Sequence, residues 1–388
     1  MSRTREYLQD MLRHTDGILL TLCIIASGFG VVMIYSATRY METNRLAVVQ
    51  GVAALIGVVL FLLVQQVDLN ELMKKKVRLW IWLTLVNFGL IALLLTPLGI
   101  GDDTGNRAWL DFKFLPVNVQ PAEIIKVLFI VVLAYQLSWL KENYTLKKIP
   151  HVAFLVCHLA PLFLMYYLIS ADMGSALVML FIFAAMCFVA GVALRWFAIG
   201  GVVGGMAFYI LWNENLIPNY MKQRFIVIFD HSYDPMGAGW HQTRSLMTLG
   251  GGKFLGQGFG QGTQTQSSYS GSLPARHTDF IFSVIGEELG MVGCVLTLLL
   301  LTAIIIRCII VARNARTKMD AYICVGVIAM LMFQIIANVG MCLFIMPVIG
   351  LTLPFFSYGG SSIVMLFVAM GLVSGVHGRS APDWLKGA

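Results

Sequence analysis

Ten apolar stretches dominate this sequence of 388 residues, and each is long enough to cross a lipid bilayer. A helix that crosses the hydrocarbon layer needs about 20 mostly apolar residues. The predicted spans cover residues 17–37, 47–66, 79–96, 121–140, 150–170, 173–194, 196–213, 280–306, 321–345 and 354–376. We therefore expect an all-α integral membrane protein, a bundle of about ten transmembrane helices forming a single polytopic domain over residues 1–388.

The composition excludes a soluble protein of this size. Hydrophobic residues make up 58% of the chain and charged residues only 12%, whereas soluble domains are about a quarter charged. The seven cysteines all lie in apolar stretches and form no CxxC pair. We interpret them as small buried hydrophobic residues rather than disulfides or metal ligands.

The distribution of Lys and Arg predicts the orientation in the membrane. With a cytoplasmic N-terminus, 17 of the 27 basic residues fall in inner segments, including a dense cluster at 74–78. Short inner loops rich in Lys and Arg are typical of this orientation. Residues 1–16 and 377–388 are thus predicted cytoplasmic tails. The net charge of +7 reflects topology, and no nucleic-acid partner is expected.

Two outer segments are longer than simple connections require. The first is the outer loop 97–120, and the second is a large extracellular loop, 214–279, between helices seven and eight. Apolar residues within the second loop suggest that it dips back toward the membrane. Its sequence GQGFGQG resembles a dinucleotide-binding fingerprint, but no βαβ unit surrounds it, so that function is rejected.

Asp279 is the strongest candidate for chemistry, because it lies where outer water meets the predicted eighth span. A carboxylate facing a low-dielectric cleft there would have a raised pKa suited to a general base. The alternative is that Thr278 or Asp279 only caps the helix. Glu287 and Glu288 follow inside the same span, where ionisable groups are costly. They form either a structural polar network or part of a functional path.

Further charged residues suit an anionic substrate. Glu123 and Lys126 share a helix face and form either a local ion pair or part of a phosphate or acceptor-sugar site. Outer cationic residues could bind phosphate oxygens, namely Arg107, Arg224, Arg244, Lys253 and Arg276. No metal-ligand cluster or cofactor motif is evident. A divalent cation, Mg²⁺ or Mn²⁺, beside Asp279 is the one cofactor that the sequence leaves open.

Five ordered motifs resemble a known family. They are QPAEIIK at 120–126 with Arg107 and Trp109 before it, DMGS at 172–175, DPMGAGWHQTRS at 234–245 with GQGFGQGTQTQ at 256–266, LPARHTDFIFSVIGEELG at 273–290, and LPFFSYGGSS at 353–362. Together they cover almost the whole chain, and the last two are highly specific. The chain resembles the SEDS (shape, elongation, division and sporulation) family of RodA-like and FtsW-like proteins.

The resemblance implies a peptidoglycan glycosyltransferase in the bacterial cytoplasmic (inner) membrane. Such an enzyme polymerises lipid II, an undecaprenyl-pyrophosphate-linked disaccharide-pentapeptide, and works with a class B penicillin-binding protein. Asp279 matches the essential acidic residue of the family, and Glu123 and Lys126 match its polar pair. Gln242 and His277 lie within the matched motifs and become candidate substrate-binding residues.

Departures from the family pattern leave the cellular role open among elongation, division and sporulation. The family commonly has Gln at the position of Arg244, Tyr at Trp240 and QPDLGT at 170–175. A flippase of the same lipid-linked precursor remains an alternative, because Glu287 and Glu288 could line a crossing path. A non-catalytic scaffold is a third. The outer position of Asp279 and of both long loops favours chemistry at the outer face.

Overall fold

The computed structural model describes residues 14–76, 78–101, 107–113, 118–214, 217–231, 233–234, 236–269 and 271–380. Its helices are α1 (Gly17–Thr38), α2 (Arg45–Val64), α3 (Leu69–Lys75), α4 (Leu79–Leu93), α5 (Pro121–Asn143), α6 (Ile149–Ser170), α7 (Met173–Ala190), α8 (Leu194–Asn213), α9 (Asn219–Phe229), α10 (Trp240–Gly251), α11 (Ile281–Arg313), α12 (Lys318–Cys342) and α13 (Gly360–Ser380). A short antiparallel pair, β1 (Gly99–Ile100) and β2 (Trp109–Leu110), lies in the first outer segment.

The prediction of about ten membrane helices is confirmed. In the described part of the chain nine helices are long and apolar enough to cross a membrane. The bent pair α3 and α4 makes a tenth if it forms one broken span. The last helix runs to Ser380, so residues 377–380 belong to it rather than to a tail. Residues 1–13 and 381–388, which make up most of the predicted tails, lie outside the described residues.

Local sequence signals fix several helix ends. Pro121 begins α5, where its missing N–H costs nothing. Asp172 caps α7 by accepting a 3.0 Å hydrogen bond from the backbone N–H of Ser175. At the other end of α7, Gly191 adopts a left-handed conformation with φ of 90° and ends the helix. These signals place Asp172 at the N-terminal end of α7.

Helices α2 and α13 approach each other unusually closely. A methyl group placed on Gly371 would lie 2.7 Å from the carbonyl oxygen of Phe61, and one on Gly375 would lie 2.5 Å from that of Gln65. Small residues at such crossings let helix backbones pack together in a membrane. Gln50 adds a polar contact, because its side chain bonds to the Ser357 carbonyl and the Gly359 N–H at 3.1 and 3.0 Å. These contacts hold α13 and the segment before it against α2.

The large outer loop contains two helices, α9 and α10, and a Gly-rich segment that runs inward beside α11. Helix α11 is interrupted at Gly290, whose φ of 66° is not helical. The N–H groups of Met291 and Val292 beyond the break bond to carbonyls of Lys253 and Phe254 at 3.0 and 3.3 Å. The Gly-rich segment thus completes the hydrogen bonds of a broken membrane helix, and part of the loop lies well inward of Asp279.

Two features of the structure differ from a bundle in which every span is tightly packed. Helix α8 contributes no buried residue, although its length and apolar composition match the predicted seventh span. The described residues contain all seven cysteines as free thiols. Cys157 is exposed on α6, so the prediction that every cysteine is buried is wrong there. An apolar environment outside the bundle explains how a small hydrophobic side chain can remain on the outer face of a membrane helix.

Candidate active site

Asp279 lies in the turn that precedes α11, and neighbouring elements fix its backbone. Its carbonyl oxygen accepts a 2.8 Å hydrogen bond from Asn338 Nδ2 on α12. The carbonyl of Thr278 accepts a 2.6 Å bond from the hydroxyl of Ser357. Because these contacts use only backbone atoms, the Asp279 carboxylate is left free to face the space beside the turn.

The structure excludes the view that this carboxylate is only a helix cap. Helix α11 begins at Ile281, its N-cap is Phe280, and no side chain caps it. Neither Thr278 nor Asp279 therefore satisfies the first N–H groups of the helix, and the capping alternative is wrong.

Two cavities open beside this turn, and both border the same pair of carboxylates. The first cavity has a volume of about 680 Å³, and the residues around it include Arg45, Gln120, His277 and Tyr358. The second has a volume of about 630 Å³, and its wall includes Tyr220, Arg224, Phe225 and His241. Asp172, Asp279, Ile349 and Gly350 line both. A group bound in either cavity would thus lie next to Asp279.

The environment raises the pKa of the Asp279 carboxyl from its usual value to about 6. Burial is the largest cause, because it penalises the charged form, and the negative charge of Asp172 adds to it. The positive charge of Arg224 acts in the opposite direction. A carboxylate with this pKa is mostly ionised at neutral pH and is a better proton acceptor than an exposed aspartate.

Asp172 is a site residue that sequence reasoning missed, since it was noted only as part of the DMGS motif. In addition to capping α7, its carboxylate accepts bonds from the Tyr166 hydroxyl at 3.0 Å and from Gln120 Nε2 at 3.4 Å. These donors hold one carboxylate at the outer end of α7, facing both cavities. Its position at the end of a span, matching that of Asp279, was the signal that could have revealed it.

Two histidines line the cavities, one in each. His277 borders the first cavity, and its Nδ1 is buried with no hydrogen-bond partner among the described residues. Burial and the nearby charge of Arg276 lower its pKa. His241 borders the second cavity, where burial and the charge of Arg224 lower its pKa. A lowered pKa favours the neutral imidazole, which donates one hydrogen bond and accepts another.

Of the predicted outer cations, Arg224 reaches the site directly. It lines the second cavity, donates a 2.9 Å bond to the Val348 carbonyl, and lies 5.7 Å from the centre of the Tyr220 ring. Arg107 is exposed next to Ala108 and Trp109, which line the first cavity. It is thus near that cavity's edge without forming its wall.

Three other predicted substrate-binding residues have different placements. Arg244 stacks 4.2 Å from the centre of the Trp240 ring and lines neither cavity. Lys253 is exposed beside the break in α11, inward of Asp279. Gln242 is buried and donates a 2.6 Å bond to the carbonyl of Met346. Gln242 thus holds the segment after α12, and these three residues are not brought to Asp279.

Glu123 and Lys126 form the ion pair that their spacing indicated. Their oxygen and nitrogen are 2.9 Å apart, and the Lys126 side chain is fully buried. The pair lies within the first two turns of α5, just beyond Gln120, which lines the first cavity. The ion pair does not line the cavity. It therefore contributes to the site by holding the end of α5 in position.

Arg276 holds the segment around Asp279 from inside. Its guanidinium donates to the backbone carbonyls of Leu273, Gln264, Thr265 and Ser267 and to the Ser272 hydroxyl. It also stacks 3.8 Å from the centre of the Tyr40 ring. Arg276 is buried and satisfied by these acceptors, so it is a structural residue and not a phosphate ligand.

Glu287 and Glu288 anchor the Gly-rich segment to α11. Glu287 accepts hydrogen bonds of 2.8 Å from the N–H groups of both Gln264 and Thr265. Glu288 accepts bonds from the Ser36 hydroxyl and from the Gly260 N–H. Because neutral donors satisfy both buried carboxylates, the pair forms a structural polar network. Glu287 and Glu288 therefore no longer support the flippase alternative.

Two further residues of the first cavity escaped sequence reasoning. Arg45, the first residue of α2, and Tyr358 both line it. Tyr358 lies within a matched motif, whereas Arg45 lies in none of the five motifs. Among the residues that the structure describes, no three His, Cys, Asp or Glu side chains group as a metal site.

The chain is similar in sequence to a known protein family. A family model described as a cell cycle protein of the FtsW, RodA and SpoVE type matches residues 17–381. A probable peptidoglycan glycosyltransferase FtsW from Geobacter metallireducens is 30% identical over 379 residues, 96% of each chain. The stage V sporulation protein E of Bacillus subtilis is 31% identical over 382 residues, which covers 93% of this chain and 96% of that protein.

The fold has a counterpart among solved structures. One chain from a peptidoglycan synthase complex, in a study of how polymerization and crosslinking are coordinated, matches with a TM-score of 0.77 and 30% identity. The match covers 95% of this chain and 99% of that one. The likeness therefore extends over nearly the whole chain.

Proposed function

This chain belongs to the FtsW, RodA and SpoVE family, and we propose that it is a peptidoglycan glycosyltransferase that polymerises lipid II into glycan strands at the outer face of the cytoplasmic membrane. The names of its relatives and the structure of a peptidoglycan synthase complex support this activity. The single observation that carries it is the placement of Asp279 at the shared border of two cavities.

Polymerisation joins two lipid-linked sugars, and two cavities meeting at one carboxylate suit such a reaction. The 4-hydroxyl of the acceptor sugar attacks the anomeric carbon of the donor, and the lipid diphosphate leaves. A hydroxyl is a weak nucleophile at neutral pH, so a positioned base accelerates the attack. Asp279 takes the hydroxyl proton, and its raised pKa suits that role. Nearby cationic groups stabilise the negative charge that develops on the leaving diphosphate.

The membrane-facing surface beside the first cavity suits a substrate with a long hydrocarbon chain. An apolar groove of about 420 Å³ runs between α2, α5 and α13 and is lined by side chains such as Val52, Ile56 and Met365. It shares Val49 and Gly360 with the first cavity. A lipid-linked sugar could thus place its headgroup at Asp279 while its hydrocarbon chain stays in an apolar environment.

A divalent cation is a proposal that the donor set allows. Asp172 and Asp279 supply two carboxylates next to both cavities, and Mg²⁺ typically takes one or two carboxylates while substrate phosphates and water complete its shell. Bound there, Mg²⁺ or Mn²⁺ would neutralise charge on the diphosphate. The residues fit such an ion only together with substrate oxygens.

The partner and the orientation are also proposals. A class B penicillin-binding protein would dock through its membrane helix on α11 and α12, where exposed apolar side chains such as Met291, Val295 and Ile336 face outward. Association with a complex that couples polymerization to crosslinking, reported for the similar structure, supports this. Both termini would be cytoplasmic, and the large loop 214–279 extracellular. Co-purification from native membranes would identify the partner.

Purified protein incubated with fluorescent lipid II tests the proposed activity. Long glycan strands, resolved on a gel and sensitive to a muramidase, are the expected product. Transfer of intact lipid II between leaflets of a vesicle, with no polymer under any partner or metal condition, would show instead that the protein is a transporter.

A further inference from the structure

Arg45 is the one arginine or lysine that lines the first cavity among the described residues. Its guanidinium has no hydrogen-bond or ion-pair partner in the part of the chain that the structure describes. The other arginines near Asp279 are occupied. Arg224 bonds to a carbonyl, Arg276 bonds to four, and Arg244 stacks on an indole ring.

The backbone near Arg45 is tied to a neighbouring segment by hydrogen bonds. Arg45 begins α2, and Gln50 one turn later ties α2 to the backbone of 357–359 through two hydrogen bonds. This connection sets Arg45 next to Tyr358, whose ring also lines the cavity. A cationic side chain on a rigid base is suited to binding an anion that arrives from outside.

The chemistry of the reaction restricts which anion this is. The donor diphosphate is bonded to the anomeric carbon that is attacked, so it must lie close to the general base. The acceptor diphosphate is a disaccharide away from the reacting hydroxyl. Arg45 and Arg224 each share a cavity with Asp279, but the apolar groove continues from the cavity of Arg45 and accommodates the donor's hydrocarbon chain. Arg45 is therefore the cation placed for the donor diphosphate.

We propose that Arg45 binds the diphosphate of the donor lipid in the first cavity and stabilises it as the leaving group, which assigns the second cavity to the acceptor. This inference rests on the proposed function. The planar guanidinium can donate two parallel hydrogen bonds to diphosphate oxygens, which an ammonium cannot do. Arg45 carries positive charge toward a site that otherwise presents the carboxylates of Asp172 and Asp279.

Inhibition by undecaprenyl diphosphate, the released product, tests this assignment in the full-length protein. Arg45→Gln should weaken that inhibition at least tenfold, as expected for loss of a charge-assisted contact, and should lower the maximal rate of polymerisation. Arg45→Lys should recover part of both. Lys113→Gln is the matched control, because Lys113 is an exposed outer cation that lines neither cavity, and it should behave as wild type.

Equal inhibition of wild type and Arg45→Gln by undecaprenyl diphosphate would overturn the assignment, while polymerisation by the wild type would leave the proposed function intact. If Arg45→Gln does not fold, the comparison is made with Arg45→Lys. If the wild type does not polymerise lipid II, direct binding of undecaprenyl diphosphate to wild type and variant still decides the role of Arg45. Unequal binding would then support the site without the activity.

Discussion

Asp172 and Asp279 precede different membrane helices and border the same two cavities, and the charge of Asp172 raises the pKa of Asp279. Asp172 is held by three hydrogen-bond donors, whereas no described residue donates to the carboxylate of Asp279. One carboxylate is thus held in place by its donors, and its neighbour is free to accept a proton. This difference underlies the first two predictions.

Asp279→Asn should abolish the base while preserving the shape of the side chain. Removal of a general base typically lowers the rate by 10²–10⁴, so we expect polymerisation of lipid II to fall at least a hundredfold. The backbone contacts of residue 279 do not involve its side chain, so the variant should remain folded and bind its partner. A variant that polymerises at nearly the wild-type rate would contradict the proposed mechanism.

The pH dependence of polymerisation should report the raised pKa of Asp279. The base acts only when deprotonated, so activity should fall as the pH drops through about 6. Asp172→Asn removes a neighbouring negative charge and keeps the ability to cap α7. The pKa of Asp279 should then decrease, and the acidic limb of the rate profile should move to lower pH. An acidic limb that stays in place would show that Asp172 does not act on Asp279.

Arg276→Lys should loosen the segment that leads to Asp279. The lysine keeps the charge but cannot reach five acceptors, and each buried carbonyl left without a donor costs about 1–3 kcal/mol. We expect a lower melting temperature in detergent and faster proteolysis within residues 257–272. Arg313→Lys, at an exposed position at the end of α11, is the control. Equal proteolysis of both variants would remove the structural role assigned to Arg276.

The length and apolar composition of the spans predicted the membrane fold, because each helix that crosses a bilayer needs about 20 mostly apolar residues. Asp279 was found from its position at the outer end of a span. The inward course of the Gly-rich segment was not predictable, since it depends on backbone hydrogen bonds to the break at Gly290. Arg45 lines the first cavity and Lys253 lines neither cavity. This difference depends on the three-dimensional placement of the side chains, which the spacing of charges along the chain does not predict.

Glu287→Gln should release the segment that this carboxylate anchors. Glu287 accepts four hydrogen bonds from residues 263–265, and an amide would turn one acceptor into a donor that faces other donors. Hydrogen exchange measured by mass spectrometry should be faster over 263–265 in the variant. Glu142→Gln, at an exposed position, should leave that exchange unchanged. Unaltered exchange in Glu287→Gln would mean that the segment is held by other contacts.

The orientation of the bundle can be tested at Tyr269 in the large outer loop. The side chain of Tyr269 is 70% exposed, so a cysteine there is accessible from the side of the membrane on which the loop lies. In a background without the seven native cysteines, Tyr269→Cys should react with a membrane-impermeant thiol reagent added to intact cells. Most basic residues fall in the opposite, inner segments, and the positive-inside tendency predicts this side. The control is a cysteine at Lys75, which is exposed within the basic cluster on the predicted cytoplasmic side. That cysteine should react only after lysis, and the reverse pattern at the two positions would place Asp279 and both cavities on the cytoplasmic face.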